Sequence, residues 1–196
     1  AGKFVLRQLD GFEPRQAIEG KDLEAIDKWI IYRMGMASRN MQDQFEKYEV
    51  GQALKVFEDF FWKDFTDYYL EMVKGRLYGD DKQKRLSAQS ALYTTFLGIL
   101  KLVSPFVPHI TEELYHSQMA GDSVVSDEKC GFWVASGETT SIHAASWPAP
   151  VSEEKETEAI ENGAKAALSV ISEVRKYKTA NNIRLGEPMG KIVVVA

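Results

Sequence analysis

The stretch SPFVPHITEELYHSQM, Ser104 to Met119, places two prolines three positions apart immediately before a helical pattern. Proline disfavours a helical residue directly ahead of it, so the apolar helix that precedes this stretch must end before its first residue. Pro108 suits the first turn of a new helix, because that position needs no backbone N–H. The stretch therefore predicts a sharp corner, with a helix from Ile110 to Met119 that folds across the preceding bundle.

Three segments before this corner carry apolar residues at spacings of three and four, which is typical of amphipathic helices. Val50 to Tyr78 has one continuous apolar stripe and predicts a single long helix. A second helix is predicted from its N-cap Asp22 to about Phe45. A third is predicted from about Lys82 to Val103, with Asp80 opening a capping box.

The second half of the chain has a different composition. Gly121 to Pro150 is rich in Gly, Ser and Asp and predicts an irregular or hairpin excursion. A long helix from Ser152 to about Ala180 follows, and Gly190 to Ala196 predicts the opening strand of a further unit. We therefore expect a mainly α protein, an antiparallel bundle with about five principal helices in the whole chain. Residues 1–150 should form the helical bundle domain, and residues 151–196 a long helix and the first strand of a truncated C-terminal extension.

Composition excludes several protein classes. Hydrophobic residues make up 44% and charged residues 27% of the 196 positions, which are ordinary globular values. We find no apolar run near the roughly 18 residues that a membrane span needs, and no leader peptide, so we expect no membrane. The lone cysteine, Cys130, fits a reducing cytoplasmic location. The net charge of −5 means that an anionic partner requires a local basic patch.

No pattern of catalytic residues emerges. His109, His116 and His143 do not fall at metal-ligand spacings, so we predict no metal site. Glu112 and Glu113 are adjacent and point about 100° apart on a helix, which makes them poor partners for acid–base chemistry. Glycine-rich phosphate loops and the common hydrolase motifs are absent. We predict that this chain has no catalytic residues.

The charges are segregated along the chain. The stretch KGRLYGDDKQKR, Lys74 to Arg85, is net basic and lies where one long helix gives way to the next, so it should form an exposed tip. The segments 58–71 and 153–161 are strongly acidic. This segregation leaves room for a phosphate-facing surface on an acidic protein.

A series of motifs then resembles the anticodon-binding region of class I aminoacyl-tRNA synthetases, with the valyl enzymes as the nearest subgroup. The motifs occur in the family's order with similar gaps and cover nearly all the chain. They are DKWI (27–30), FFWKDFTDYYLEMVKGR (60–76), LVSPFVPHITEELY (102–115) and SIHAASWP (141–148). The opening AGKFVLRQLDGF (1–12) and the later ISEVRKYKTANNIRLGEP (171–188) resemble flanking helices of the same family.

This resemblance implies a function that the residues alone do not. The chain should hold the anticodon stem-loop of a tRNA, suspected to be valine-specific, while a catalytic core outside this chain attaches the amino acid. The family's ATP-binding signatures are absent here, so the resemblance implies an excised fragment without a cofactor of its own, whose parent ligase uses ATP and magnesium. Single-stranded RNA is bound by aromatic or guanidinium planes under the bases and by cations along the backbone.

The resemblance also points to the RNA-binding residues. Anticodon-reading positions of related enzymes match Lys3 on the first helix and Arg76 near the end of the long helix. Residues expected near the same tip complete the predicted RNA-binding set: Lys21, Lys74, Tyr78 and Lys82. Four large aromatic residues are assigned to the core instead: Trp29, Phe61, Trp62 and Tyr69.

Three alternatives remain open at the level of sequence. Isoleucyl- and leucyl-tRNA synthetases share the same architecture, so the chain could be the anticodon domain of either. It could also be a helical scaffold that binds proteins through its aromatic-rich helix or its terminal KIVVVA edge. A stand-alone homologue that works in trans is a third possibility.

Overall fold

A computed structural model describes residues 1–13, 17, 22–118, 141–148, 156–184, 187, 189–191 and 193. The chain divides into two compact units, Ala1–Glu154 and Lys155–Ala196. The helices are Gly2–Gln8 (α1), Ala25–Glu46 (α2), Val50–Asp59 (α3), Leu70–Leu77 (α4), Lys82–Val103 (α5), Pro108–Gln118 (α6) and Glu156–Ala180 (α7). No strand occurs in the described residues, and the predicted mainly α class is confirmed.

Helix α5 is the centre of the first unit. From Ser87 to Leu102 every residue is buried except Thr94, which is partly buried. Within the described ranges α5 is also the one helix long and apolar enough to cross a membrane, although no single apolar run had suggested this. Its apolar stretch is 78% buried inside the fold, as expected for the core helix of a bundle.

Contacts along α2 fix the direction of its neighbours. Asp27, near the start of α2, accepts a hydrogen bond from Ser87 near the start of α5. Further along both helices, Met34 lies so close to Gly98 that a Cβ there would meet its sulfur at 1.9 Å. These two helices therefore run in the same direction. Arg76 at the end of α4 also binds Asp27, so the chain from α3 to α4 runs antiparallel to α2.

The predicted long helix from Val50 is interrupted by a π-helical segment, Phe60–Tyr69. The N–H of Leu70 donates to the carbonyl of Phe65, five residues earlier, and the Thr66 hydroxyl donates to the carbonyl of Phe61. The wider turn changes which residues face the core. The buried positions of the π segment are Phe60, Asp64, Phe65 and Tyr69, and its buried rings at Phe60 and Phe65 are five residues apart.

The structure corrects one residue assignment. Trp62, placed in the core by the sequence prediction, is 60% exposed. A spacing of three and four passes through Phe57, Phe61 and Phe65 and leaves Trp62 off the buried face, so its assignment to the core followed the residue type and not its position. Trp29 and Tyr69 are buried as predicted, and Phe61 is partly buried.

Two predicted helix starts are also corrected. Helix α2 begins after Glu24 and not after Asp22. Helix α5 is capped by Asp81 and not by Asp80, since the Asp81 carboxylate accepts from two backbone N–H groups of the first turn, at 3.1 and 3.2 Å. A capping carboxylate must directly precede the first helical residue to reach those groups.

The predicted corner between α5 and α6 is confirmed. The N–H groups of Phe106 and Val107 donate to the carbonyl of Val103, at 2.9 and 3.1 Å, and the new helix begins at Pro108. The segment 141–148 covers this end of the bundle. Trp147 packs edge-on against Phe45, at 5.7 Å between ring centroids, and Phe45 stacks on Phe106 at 6.0 Å.

The second unit is described mainly through α7. The N–H of Ile183 donates to the carbonyl of Lys178 at 2.8 Å, after Asn182 adopts a left-handed φ of 53°. The predicted hairpin excursion at 121–150 lies largely outside the described residues. So do most positions of the predicted strand at 190–196.

Candidate nucleic-acid interface

The basic tip, Lys74 to Arg85, joins the end of α4 to the start of α5. Helix α1 lies against it through two contacts. Gln8 Nε2 donates to the Tyr78 hydroxyl at 3.1 Å, and Lys74 Nζ lies 5.9 Å from the centroid of the Phe4 ring. The structure thus brings α1, which carries Lys3, next to the tip, which carries the other described residues of the predicted set.

Several cations on this surface are available to an anionic ligand. In α1 and the tip, where every residue is described, four exposed cations form no ion pair: Lys3, Arg7, Lys82 and Arg85. The other two surface lysines of the tip are paired, Lys74 with Glu71 at 2.5 Å and Lys84 with Asp81 at 3.7 Å. Cations without an ion pair are free to neutralise the phosphates of a nucleic-acid backbone.

Two of these free cations were missed by the sequence prediction. Arg7 follows Lys3 by four residues on α1, a spacing that puts both on one helix face. Arg85 closes the basic stretch that defined the tip. Helical spacing and the charge of the stretch were the signals that could have included them.

Tyr78 presents an aromatic surface at the tip. Its side chain is 61% exposed, yet its hydroxyl accepts a hydrogen bond from Gln8. Gln8 is itself held, because its backbone carbonyl accepts from Gln89 Nε2 of α5 at 2.8 Å. An exposed ring fixed in this way can stack on an unpaired base without first being ordered.

Arg76 is placed differently from the other members of the predicted set. Its guanidinium donates two hydrogen bonds to the Asp27 carboxylate, from Nη1 to Oδ2 at 2.6 Å and from Nη2 to Oδ1 at 2.7 Å. The Arg76 side chain is 16% exposed. Burial alone would lower the pKa of Arg76, but the hydrogen bonds and the charge of Asp27 outweigh it and raise that pKa. The charge of Arg76 is therefore directed into the bundle.

Asp27 is the centre of a buried polar cluster that sequence reasoning did not identify. The carboxylate is fully buried and also accepts from the hydroxyls of Tyr69, at 2.9 Å, and Ser87, at 2.6 Å. Burial, followed by the charge of Asp27, raises the pKa of Tyr69 well above its ordinary value, so this hydroxyl stays protonated and donates. A polar residue beside the apolar positions of DKWI was the available signal.

Two further site predictions concern Lys21 and a metal ion. Lys21 lies outside the described residues. In the described ranges, no three His, Cys, Asp or Glu side chains are grouped so that they could hold a metal ion. The candidate interface therefore consists of its cations, one exposed aromatic ring and the buried carboxylate beneath them.

Comparison with known proteins gives a family match over most of the chain. The family model of the anticodon-binding domain of tRNA ligase matches residues 27–195. The chain is 32% identical over 192 residues to the valine–tRNA ligase of Thermococcus kodakarensis, covering 98% of this chain and 20% of that protein. It is 33% identical over 194 residues to the valine–tRNA ligase of Pyrococcus abyssi, covering 99% of this chain and 20% of that protein.

A cyanobacterial relative gives a higher identity over a shorter region. The valine–tRNA ligase of Thermosynechococcus vestitus is 41% identical over 130 residues, covering 64% of this chain and 14% of that protein. The chain thus spans about a fifth of the length of the two archaeal relatives it matches.

Proposed function

Because this chain belongs to the anticodon-binding domain family of tRNA ligases, we propose that it holds the anticodon stem-loop of a tRNA on the surface formed by α1 and the basic tip. The observation that carries this proposal is the contact of α1 with the tip through Gln8 and Tyr78. It brings the helix that carries Lys3 and Arg7 against the connection that carries Lys82, Arg85 and the exposed ring of Tyr78.

The residues of this surface take different roles. Lys3 and Lys82, supported by Arg7 and Arg85, follow the phosphate backbone of the loop. Tyr78 stacks on an unpaired base, which is the usual way in which proteins hold single-stranded RNA. Lys74 lines the same surface while paired with Glu71, and Lys21 would add a further cation.

The tRNA is proposed to be specific for valine, since the relatives compared above are named valine–tRNA ligases. In the full-length parent, valine attachment with ATP and magnesium would take place in a catalytic core outside this chain, in the cytoplasm. Residues of this chain would contribute binding and orientation of the anticodon, and no chemical step.

The test is a binding titration with a valine anticodon stem-loop at several salt concentrations. Lys3→Ala and Lys82→Ala should each weaken binding and reduce the log–log salt slope by about 0.7, the value of one phosphate contact on a single strand. Lys47→Ala is the matched control: Lys47 is an exposed lysine just after the end of α2, about 30 Å along that helix from Asp27. Equal binding by all three variants would contradict the proposal.

The same titration tests valine specificity. A stem-loop with a changed anticodon should bind more weakly, and equal binding would contradict valine specificity while leaving RNA binding intact. It also separates RNA binding from the rival function, a scaffold that binds proteins. Failure of the wild-type chain to bind any stem-loop at low salt would favour a protein partner. An apolar protein interface, unlike an RNA interface, responds little to salt.

A further inference from the structure

We propose that Asp27 is a positioning residue for RNA binding: its buried carboxylate, held by Arg76, Tyr69 and Ser87, sets the orientation of the basic tip. This inference rests on the proposed function. In this arrangement Arg76 does not contact the RNA. Its guanidinium affects RNA binding indirectly, because its bond to Asp27 holds the connection between α4 and α5 in place.

The carboxylate is saturated by hydrogen bonds. Oδ1 accepts from the Tyr69 hydroxyl at 2.9 Å and from Arg76 Nη2 at 2.7 Å, while Oδ2 accepts from Arg76 Nη1 and from Ser87 Oγ, both at 2.6 Å. The Asp27 side chain has no exposed surface. Four short bonds to one carboxylate fix the position of each donor, because charge-assisted hydrogen bonds are both strong and directional.

The donors stand on both sides of the connection between α4 and α5. Arg76 lies two residues before Tyr78, and Ser87 lies five residues after Lys82. The connection that presents Tyr78 and Lys82 is therefore anchored at each end to the same carboxylate. The anchor extends to the entry of α2, because the N–H of Glu24 donates to Ser87 Oγ at 2.9 Å.

The buried ion pair between Asp27 and Arg76 restricts the orientation of the helices that carry it more than apolar packing would. Replacing both members of such a pair by apolar residues is often neutral or stabilising, so stability alone does not explain why an ion pair occupies this position. Its bidentate geometry, unlike apolar packing, does not tolerate rotation or sliding of the helices that carry it. A site that must match the spacing of phosphates and a stacked base benefits from that restriction.

The inference makes a prediction opposite in sign to simple electrostatics. Asp27→Asn removes a negative charge from beneath an RNA-binding surface, so charge alone would leave RNA binding equal or tighter. If the carboxylate positions the tip, the same variant binds the stem-loop more weakly. The salt slope should stay unchanged, because no phosphate contact is lost.

Arg76→Lys and Ser87→Ala test the same point while leaving the carboxylate paired. Lysine keeps the charge of Arg76 but cannot make both hydrogen bonds, so binding should weaken by roughly tenfold; Ser87→Ala removes one bond and should weaken it by roughly threefold. Ser38→Ala is the matched control, a buried serine that donates to the Pro148 carbonyl at 2.5 Å near the other end of α2. It should leave RNA affinity within about twofold.

The experiment measures stem-loop affinity, its salt slope and amide hydrogen exchange for the wild type and these four variants. The inference predicts weaker binding, an unchanged slope and faster exchange within residues 77–85 for the three variants of the cluster, and none of these changes for Ser38→Ala. If Asp27→Asn does not fold, Arg76→Lys and Ser87→Ala decide the matter.

Three results would overturn the inference. They are retained affinity in Arg76→Lys, affinity equal to or above wild type in folded Asp27→Asn, and an equal loss of affinity in Ser38→Ala. Failure of the wild-type chain to bind the stem-loop would instead remove the proposed function on which the inference rests. The wild-type titration therefore separates the two failures.

Discussion

The two ends of the α2–α5 pair are held together by different chemistry. At the tip end, α2, α4 and α5 meet on the carboxylate of Asp27 through charge-assisted hydrogen bonds. At the opposite end, where α2 and α5 finish, the rings of Phe45, Phe106 and Trp147 pack together. Aromatic packing fills space with broad angular tolerance, whereas the carboxylate fixes orientation. The fold thus places its directional contacts beneath the surface proposed to bind RNA.

Removing Asp27 should give the largest loss of stability. Asp27→Ala leaves Arg76 partly buried without its partner, and breaking a buried pair from one side costs about 3–5 kcal/mol of unfolding free energy. Urea denaturation measures it. The control is Asp64→Ala, whose partner Arg33 is 39% exposed, so solvent screens the loss and the cost should be far smaller. Equal losses of unfolding free energy in the two variants would show that burial of the ion pair does not set the size of the loss.

Substitution of Gly98 should affect both ends together. In Gly98→Ala the new Cβ would lie 1.9 Å from the sulfur of buried Met34, so α2 and α5 must separate or Met34 must move. Overpacking of this kind costs about 1–3 kcal/mol, although alanine is otherwise the better helix former.

Gly51→Ala in α3 is the control for this change, because nothing lies within 4 Å of its added Cβ. It should stabilise the chain slightly, by up to about 1 kcal/mol. Differential scanning calorimetry of the two variants gives the comparison. A stabilised Gly98→Ala would show that the close approach of α2 and α5 is not tight.

Two exposed tyrosines, one at each end of the α2–α5 pair, sharpen the comparison of the ends. Tyr78→Ala should weaken stem-loop binding by about 1–2 kcal/mol through the lost stacking surface, and Tyr78→Phe should lose less because it keeps the ring. Tyr48, which is 92% exposed just after the end of α2, is the matched control. Tyr48→Ala should not change binding in the same fluorescence titration. A loss in Tyr48→Ala equal to that in Tyr78→Ala would move the RNA away from the tip.

The smallest expected effect is a pH dependence at the opposite end. Partial burial would raise the pKa of Glu112, but hydrogen bonds from Ser141 Oγ and the Ile142 N–H, with the interaction of His116, lower it below 4.5. Because the folded pKa is lowered, the stabilisation is fully present above pH 4.5 and is lost as the pH falls through the lowered value.

Unfolding free energies between pH 2.5 and 5 check this dependence. The difference between wild type and Glu112→Gln should shrink as the pH falls. Glu113→Gln, an exposed neighbour on the same helix, should follow the wild-type curve. A constant difference between wild type and Glu112→Gln over this range would show that Glu112 does not hold the 141–148 segment through its charge.

The helices were predictable from the sequence because apolar spacing reports directly on which face a helix buries. The corner at Pro108 was predictable because proline acts on its immediate neighbours. The π segment was not, since a turn closed over five residues leaves no mark in composition and is seen only in its hydrogen bonds.

The candidate site was also predictable from the sequence only in part. The basic tip could be located from its run of cations, and the position of α1 from family resemblance. The Asp27 cluster could not, because its donors lie 42, 49 and 60 positions away along the chain. No local pattern shows that Arg76 turns inward while Lys82, six residues later, faces solvent.

Amide hydrogen exchange of the wild-type chain, with and without a valine anticodon stem-loop, tests the central claim most directly. Binding at the tip end predicts protection within Gly2–Gln8 and residues 77–85, and no change at residues 45–50 or 103–110, where α2 and α5 finish. Protection at the opposite end, with the tip unchanged, would contradict the account.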